Sequence, residues 1–126
     1  MTPVVRTVLM LALLLASAGR LQAHHSAVLF DLSKTFTLTG TLTKVDWRNP
    51  HIEVFLEARN EAGLMETWEL ETGAPSWFRN RHLSRADLEK AIGQIVTVDG
   101  VLAKDGSRYG YLYRLAFAGG ASWELR

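Results

Sequence analysis

The feature that most constrains the fold of this chain is an alternation of apolar and polar residues that begins at Thr35. The apolar positions occupy first one parity and then the other: Phe36, Leu38, Gly40 and Leu42, followed by Val45 and Trp47. Successive side chains of a strand point to opposite faces, so the pattern predicts a long strand, and the change of parity predicts a bulge in it. Asn49-Pro50 ends this strand, because proline has no amide hydrogen and restricts the residue before it.

Four more segments are typical of strands. The second strand places alternate apolar residues on one face: Ile52, Val54, Leu56 and Ala58. The others are predicted over Met65 to Glu71, Gln94 to Ala103 and Arg108 to Phe117. Between the strands at Met65 to Glu71 and Gln94 to Ala103, Pro75 and Ser84 are typical helix starts and Gly93 is a typical helix end. We therefore expect one short helical region there.

This order of elements predicts a mainly β fold. Three strands, a helix and two strands are the order of an OB-fold, so we expect an OB-fold-like five-stranded antiparallel barrel with one short helix between strands 3 and 4. An open antiparallel sheet with the helix on one face is the alternative, because it buries the same residues. In an OB-type barrel the binding face lies between the first and last hairpin loops, here Trp47 to His51 and Lys104 to Ser107.

The first 23 residues are typical of an export signal. Arg6 precedes an apolar run from Val8 to Ala18, and the segment closes at the small residue Ala23. We predict a signal peptide over residues 1–23, cleaved after Ala23, and one OB-like domain over residues 24–126 in the periplasm. Cleavage after Ala18 is the alternative. The apolar run is too short for a permanent membrane span.

Composition limits the partners and the metal chemistry. Loss of Arg6 and Arg20 with the signal would reduce the 14 basic residues to 12, against 13 acidic residues, so the exported domain is near neutrality and nucleic acid is not an expected partner. The chain has no cysteine, and Met65 is the only methionine after the signal. A metal site would therefore use nitrogen and oxygen ligands.

Several motifs together resemble a known family. They are His24-His25-Ser26, Phe30-Asp31, Leu38 to Lys44, Trp47-Arg48-Asn49-Pro50-His51 and the Lys104 to Ser107 turn. On these motifs the chain resembles a family of small exported bacterial proteins classified as a domain of unknown function. The resemblance implies an exported all-β domain with a helix, and it implies no reaction or substrate. One departure is Arg79 to His82, where the family pattern leads us to expect a glycine and an aromatic residue.

The histidines are the candidate metal ligands. A chain that starts at His24 could bind Cu(II) through its α-amino group and imidazole, with His25 or His51 as a further nitrogen ligand. Glu53 could act as an outer ligand or could orient an imidazole. Asp31 to Lys34 is typical of a turn, which would send the preceding residues back along the first strand and away from His51.

A metal-free function is the alternative. Some aromatic and polar residues could instead form a face that binds a glycan, a peptide or an exported partner protein: Trp47, Asn49, Phe55, Tyr109 and Tyr111. Packing is the commoner role for aromatic residues at period two. Glu66, Glu69 and Glu71 are expected on the solvent side of a strand, and the chain has no Ser-His-acid spacing. We predict no catalytic residue, and an oxidoreductase with histidine-bound copper is a third hypothesis.

Overall fold

The computed structural model of the protein describes residues 28–125. The predicted signal peptide, His24 and His25 lie outside the described residues. The described strands are β1 (Phe30–Asp46), β2 (Glu53–Arg59), β3 (Met65–Glu71), β4 (Ile95–Ala103), β5 (Tyr109–Phe117) and β6 (Ser122–Glu124). Two helices lie between β3 and β4, namely α1 (Pro75–Arg79) and α2 (Arg85–Glu89). The protein is therefore mainly β, with a short sixth strand and two short helices where the sequence predicted one helical region.

Five of the strands form a closed ring. They are hydrogen-bonded in the order β3-β2-β1-β4-β5, and β5 returns to β3 through a parallel pairing that includes Leu70 opposite Gly110. The other neighbours in the sheet pair antiparallel, and β6 extends the sheet beside β5. The ring excludes the alternative of an open sheet. The bulge predicted in the first strand is confirmed, since the β1–β2 register shifts between Leu42 and Lys44.

Alternate residues along the strands are apolar, and their side chains fill the interior of the ring. The predicted inward set of β2 is buried without exception, and Leu70 of β3 is also buried. The buried core residues are Leu42, Ile52, Val54, Leu56, Leu70, Phe78, Leu88, Ala91, Val96, Val98, Leu112, Leu115 and Leu125. Burial of one such leucine or phenylalanine stabilises a fold by roughly 1.5–3 kcal/mol, so this interior dominates the stability of the chain.

The two helices contribute one large side chain each to that interior. Phe78 of α1 is fully buried, and its ring meets the Trp47 ring edge-on with centroids 5.6 Å apart. Leu88 of α2 is buried as well. Ser84 caps α2 reciprocally: the Asp87 amide donates to the Ser84 hydroxyl at 3.1 Å, and the Ser84 amide donates to the Asp87 carboxylate at 2.9 Å. The predicted helix start at Ser84 is therefore confirmed.

The chain does not reverse at residues 31–34, so the expected turn back along the first strand is wrong. Phe30 pairs with Ala103 and Thr35 pairs with Val101, so β1 advances five residues while β4 advances two. The local turn signal is nevertheless real, since the Ser33 amide donates to the Asp31 carboxylate at 3.1 Å. It produces an irregularity within β1 instead of a hairpin. Phe30 consequently lies at the end of β4 next to the β4–β5 loop.

Candidate functional site

His51 is the described histidine on which the predicted metal site depends, and it lies between β1 and β2. A pair of backbone hydrogen bonds ties this segment to the end of β3: the Ile52 amide donates to the Gly73 carbonyl at 3.0 Å, and the Thr72 amide donates to the Ile52 carbonyl at 2.8 Å. His51 Nδ1 therefore lies 3.2 Å from the Thr72 carbonyl oxygen and 3.5 Å from Glu71 Oε1. About a third of the His51 side chain, 34%, is exposed.

Glu71, the last residue of β3, is buried although it lies on the outer face of the ring. Its side chain is 9% exposed. Oε2 accepts a hydrogen bond of 2.6 Å from the Tyr109 hydroxyl, whereas Oε1 has no hydrogen-bond partner among the described residues. Thr72 Oγ1 is likewise buried without a partner in that part of the chain. A buried carboxylate is unfavourable unless it is paired, so a buried carboxylate oxygen without a hydrogen-bond partner is unusual.

Two tyrosines of β5 stand beside Glu71. Burial, the hydrogen bond to Glu71 and the nearby negative charges raise the pKa of Tyr109 well above its usual value. Burial and then the charge of Glu71 raise the pKa of Tyr111. Both phenols therefore keep their protons over the physiological range, and Tyr109 remains a hydrogen-bond donor to Glu71.

Phe30 covers these tyrosines from the start of β1. Its ring stacks on Tyr109 with centroids 5.4 Å apart and meets Tyr111 edge-on at 5.8 Å. Val101 and Ala103 complete the apolar surroundings of Phe30. We call Phe30, His51, Glu71, Tyr109 and Tyr111 the outer cluster. It joins the first described strand to His51 through three successive contacts.

The other residues of the predicted sites are separate from His51 Nδ1. The Glu53 carboxylate forms an ion pair of 2.6 Å with Arg48. Asn49 is exposed, and Trp47 is partly buried against the core. Phe55 lies under the Lys44 ammonium, 4.7 Å from the ring centroid, and lines an open groove of about 350 Å³. The carboxylate beside His51 is that of Glu71.

The described donors are too few for a complete metal site. Residues 28–125 contain no group of three or more His, Cys, Asp or Glu side chains that could hold an ion. An ion held at His51 would need further ligands from elsewhere in the chain. The same described part contains no helix that is both long and apolar enough to cross a membrane.

Sequence reasoning missed the roles of Glu71 and Phe30. The alternation in β3 places Glu71 on the outer face, where solvent exposure is the ordinary expectation. Its burial depends on Tyr109 and Phe30, which are distant in sequence. The signal available was the aromatic residue Phe30 directly ahead of the predicted Asp31 to Lys34 turn, since a large apolar side chain there needs a surface to cover.

Comparison with known families identifies the class of this mainly β protein. A model described as a family of unknown function, DUF6152, matches residues 12–112. The chain belongs to this family. Comparison with curated proteins and with solved structures found no match.

Proposed function

We propose that this protein is an exported, periplasmic, non-catalytic module that binds a transition-metal ion, copper in the first place, through His24 with His25 or His51. The observation that carries the proposal is the outer cluster. Phe30 contacts Tyr109, Tyr109 donates to Glu71, and Glu71 lies beside His51. These contacts therefore connect the start of β1 to the loop that carries His51.

The reach of the N-terminal segment supports the use of His51 with His24. His24 lies six positions before Phe30, and six extended residues span at most about 22 Å. Phe30 is joined to His51 through the contacts of the outer cluster, so we propose that a His24 ligand would act from a point attached close to His51. A tethered ligand acts at a high effective concentration, on the order of millimolar for a short flexible link, which favours one chelate over two independent weak sites.

The donor set supports a divalent ion. The candidate ligands are an α-amino nitrogen, imidazoles and carboxylates, and such ligands suit Cu(II), Ni(II) and Zn(II), with Cu(II) the most tightly bound of these. Thiolate ligands, which favour Cu(I), are lacking, because the chain has no cysteine. Met65 lies at the start of β3, whereas Glu71 ends that strand. Within this proposal, cleavage after Ala23 supplies the free amine of His24.

The strand order supports an OB-fold-like barrel as the scaffold. The ring has the sequence β1-β2-β3-β5-β4, closed by the β4–β1 pairing, with the helices between β3 and β4. In OB-folds, ligands bind on the face flanked by the first and last hairpin loops. His51 belongs to the first of these loops, and Tyr109 follows the last, so the outer cluster lies between them.

The test begins with protein that has been exported and processed by its own signal. Intact mass fixes the first residue, and Cu(II) titration followed by electron paramagnetic resonance counts the nitrogen ligands. We expect one Cu(II) per chain with three nitrogen ligands, and loss of that signal in the His24→Ala/His51→Ala double variant. His82→Ala is the matched control, because His82 is an exposed loop histidine. Unchanged affinity in the double variant, or a mature chain that starts at Gly19, would refute the terminal chelate.

A metal-free binding module is the second candidate, and one observation favours it. Phe55 lines the open groove together with Thr67, Glu69 and Arg108. Tyr109, Tyr111 and Trp47 pack against other residues of the fold and so contribute less free aromatic surface. If this candidate is right, Phe55→Ala should abolish binding of envelope glycans or peptides detected by NMR titration, while Cu(II) should cause no specific change. A groove whose signals do not respond to these ligands would count against it.

A further inference from the structure

The surroundings of His51 Nδ1 contain two hydrogen-bond acceptors. The Thr72 carbonyl oxygen, 3.2 Å away, can only accept, and an ionised Glu71 carboxylate, 3.5 Å away, can also only accept. A bare Nδ1 lone pair would face both of these oxygens and would be repelled by them. A protonated Nδ1 is attracted to both. Among the described residues no hydrogen bond engages Nε2, so the other ring nitrogen is left for a different partner.

We propose that Glu71 is a positioning residue that, with the Thr72 carbonyl, holds neutral His51 as the Nδ1–H tautomer and makes Nε2 the nitrogen that binds a divalent ion. The metal part of this proposal rests on the proposed function, whereas the tautomer does not. Histidines that ligate metals usually donate their other ring N–H to a carboxylate or a backbone carbonyl, which fixes the ring and raises its basicity. His51 has both kinds of acceptor beside one nitrogen.

Glu71 is itself held in place for this role. The Tyr109 hydroxyl donates to Oε2, and the stacked ring of Phe30 covers Tyr109. These contacts bury the carboxylate and leave Oε1 without a hydrogen bond in the part of the chain that the structure describes. A buried oxygen without a donor gains from one that comes within reach, and the Nδ1–H of His51 is 3.5 Å away.

The charge of Glu71 also bears on which ion the site would take. At a given distance, a carboxylate attracts a doubly charged ion twice as strongly as a singly charged one, and partial burial reduces the screening of that attraction. Glu71 therefore favours Cu(II) over Cu(I) at Nε2.

The first measurement is the tautomer of His51 in the metal-free, exported protein. Long-range ¹H–¹⁵N correlation spectra at pH 8, where an ordinary histidine is neutral, distinguish a protonated Nδ1 from a protonated Nε2. His51→Ala assigns the signal. We expect His51 to carry its proton on Nδ1. A proton on Nε2 would overturn the proposal without any reference to metal.

The second measurement is the affinity for Cu(II) alone and for Cu(I) alone in Glu71→Gln. Removal of a carboxylate that orients a ligating imidazole typically weakens metal binding about 10–100-fold, and we expect a loss of this size for Cu(II) and a smaller loss for Cu(I). Glu69→Gln is the matched control, because Glu69 lies on the same face of β3 and makes no contact with His51 Nδ1. Equal Cu(II) affinities in wild type and Glu71→Gln would overturn the role of Glu71.

Different results would refute the proposed copper binding and the proposed positioning of His51. A protein with the Nδ1–H tautomer that binds no copper would refute the proposed function and the metal part of this inference, and it would leave the positioning of His51 intact. A protein that binds copper through a His51 protonated on Nε2 would keep the proposed function and refute the positioning role. If Glu71→Gln fails to fold, the tautomer of the wild-type protein still tests whether His51 carries its proton on Nδ1.

Discussion

The interior of the ring and the outer cluster both contain buried side chains, but the two regions are built differently. The interior is filled by aliphatic side chains such as Leu56 and Leu70 and by Phe78, and dispersion and the hydrophobic effect account for its stability. The outer cluster instead contains a buried carboxylate that accepts from a phenol hydroxyl and lies beside an imidazole, with the ring of Phe30 stacked on that phenol. Burial of polar groups stabilises the fold less than burial of the same apolar area.

This difference indicates separate roles for the two regions. Apolar residues in place of the buried carboxylate of the outer cluster would stabilise the fold at least as well, since replacement of buried polar groups by well-packed apolar ones is often neutral or stabilising. Glu71 and His51 instead form an arrangement that fixes the orientation of a partly exposed ring. Variants of the interior should therefore change stability alone, whereas variants of the outer cluster should change the state of His51 as well.

The largest effect is expected from Leu56→Ala in the interior. Leu56 is fully buried, and truncation of such a leucine lowers the free energy of unfolding by about 2–5 kcal/mol through lost burial and the cavity left behind. Urea denaturation measures the loss. The His51 tautomer in the folded fraction should not change. Leu56→Met, which conserves volume, should cost less than about 1.5 kcal/mol, and a cost as large as that of alanine would mean that the site is not close-packed.

A smaller loss of stability is expected from Tyr109→Phe in the outer cluster. This variant keeps the ring that stacks on Phe30 but removes the hydroxyl that donates to Glu71 at 2.6 Å. A buried carboxylate oxygen that loses its donor costs about 1–3 kcal/mol, which urea denaturation would detect, and the ¹⁵N signals of His51 should shift as Glu71 relaxes. Tyr111→Phe is the control and should lie within about 0.5 kcal/mol of wild type. Equal effects of the two substitutions would contradict the special role of Tyr109.

The smallest effect is expected at Asp99, a polar site on the outer face that is remote from the outer cluster. The hydrogen bond from Thr37 and the interactions with Arg114 hold the pKa of Asp99 below its usual value. A carboxyl with a lowered folded-state pKa stabilises the fold above its unfolded pKa of about 3.9 and loses that contribution as the pH falls through the folded value.

Asp99→Asn should therefore lower the free energy of unfolding at pH 7 by at most about 1 kcal/mol, because such pairs near the surface are screened by water. The gap between the variant and wild type should shrink below pH 4. Urea denaturation at pH 7 and pH 3 measures both values. A gap that stays constant down to pH 3 would mean that the charge of Asp99 contributes nothing.

Much of the fold could be predicted because it depends on local pattern. The alternation in β2 and the parity change after Leu42 correspond directly to buried positions and to the observed bulge. The prediction of a turn was wrong at one segment, because the same local composition is compatible with a hairpin turn and with an irregular strand. Asp31 to Lys34 has the composition of a turn, yet pairing with β4 on both sides of it turns the segment into an irregularity within one strand.

At residues 79–82 the chain departs from the family pattern, and the backbone conformation there bears on that departure. The family resemblance led us to expect a glycine and an aromatic residue ahead of the helix, where Arg79 to His82 stand. His82 has a positive φ of 58°, a conformation that glycine adopts without steric cost and that other residues adopt rarely. The loop therefore keeps the glycine-type backbone although a histidine occupies the position.

The candidate site could be predicted only in part. His51 was identifiable from its residue type and its loop, because imidazole chemistry and the first hairpin both follow from the sequence. Its partners were not identifiable, since the burial of Glu71 requires the parallel pairing of β3 with β5 and the passage of Phe30 over Tyr109. Such contacts join residues 38 or more positions apart, and no local pattern encodes them.

The ring of Phe36 sets a condition on how this sheet can vary among related sequences. A Cβ atom at Gly100 or at Gly110 would come within 2.8 Å of the Phe36 ring, and at Gly100 it would also meet the Tyr111 carbonyl at 2.4 Å. The aromatic ring thus occupies the space that two side chains on neighbouring strands would otherwise fill. A smaller residue at position 36 would remove only the ring contact, because the Tyr111 and Val101 carbonyl oxygens would still lie 2.4 Å and 2.9 Å from these Cβ atoms, so positions 100 and 110 are expected to stay glycine in relatives.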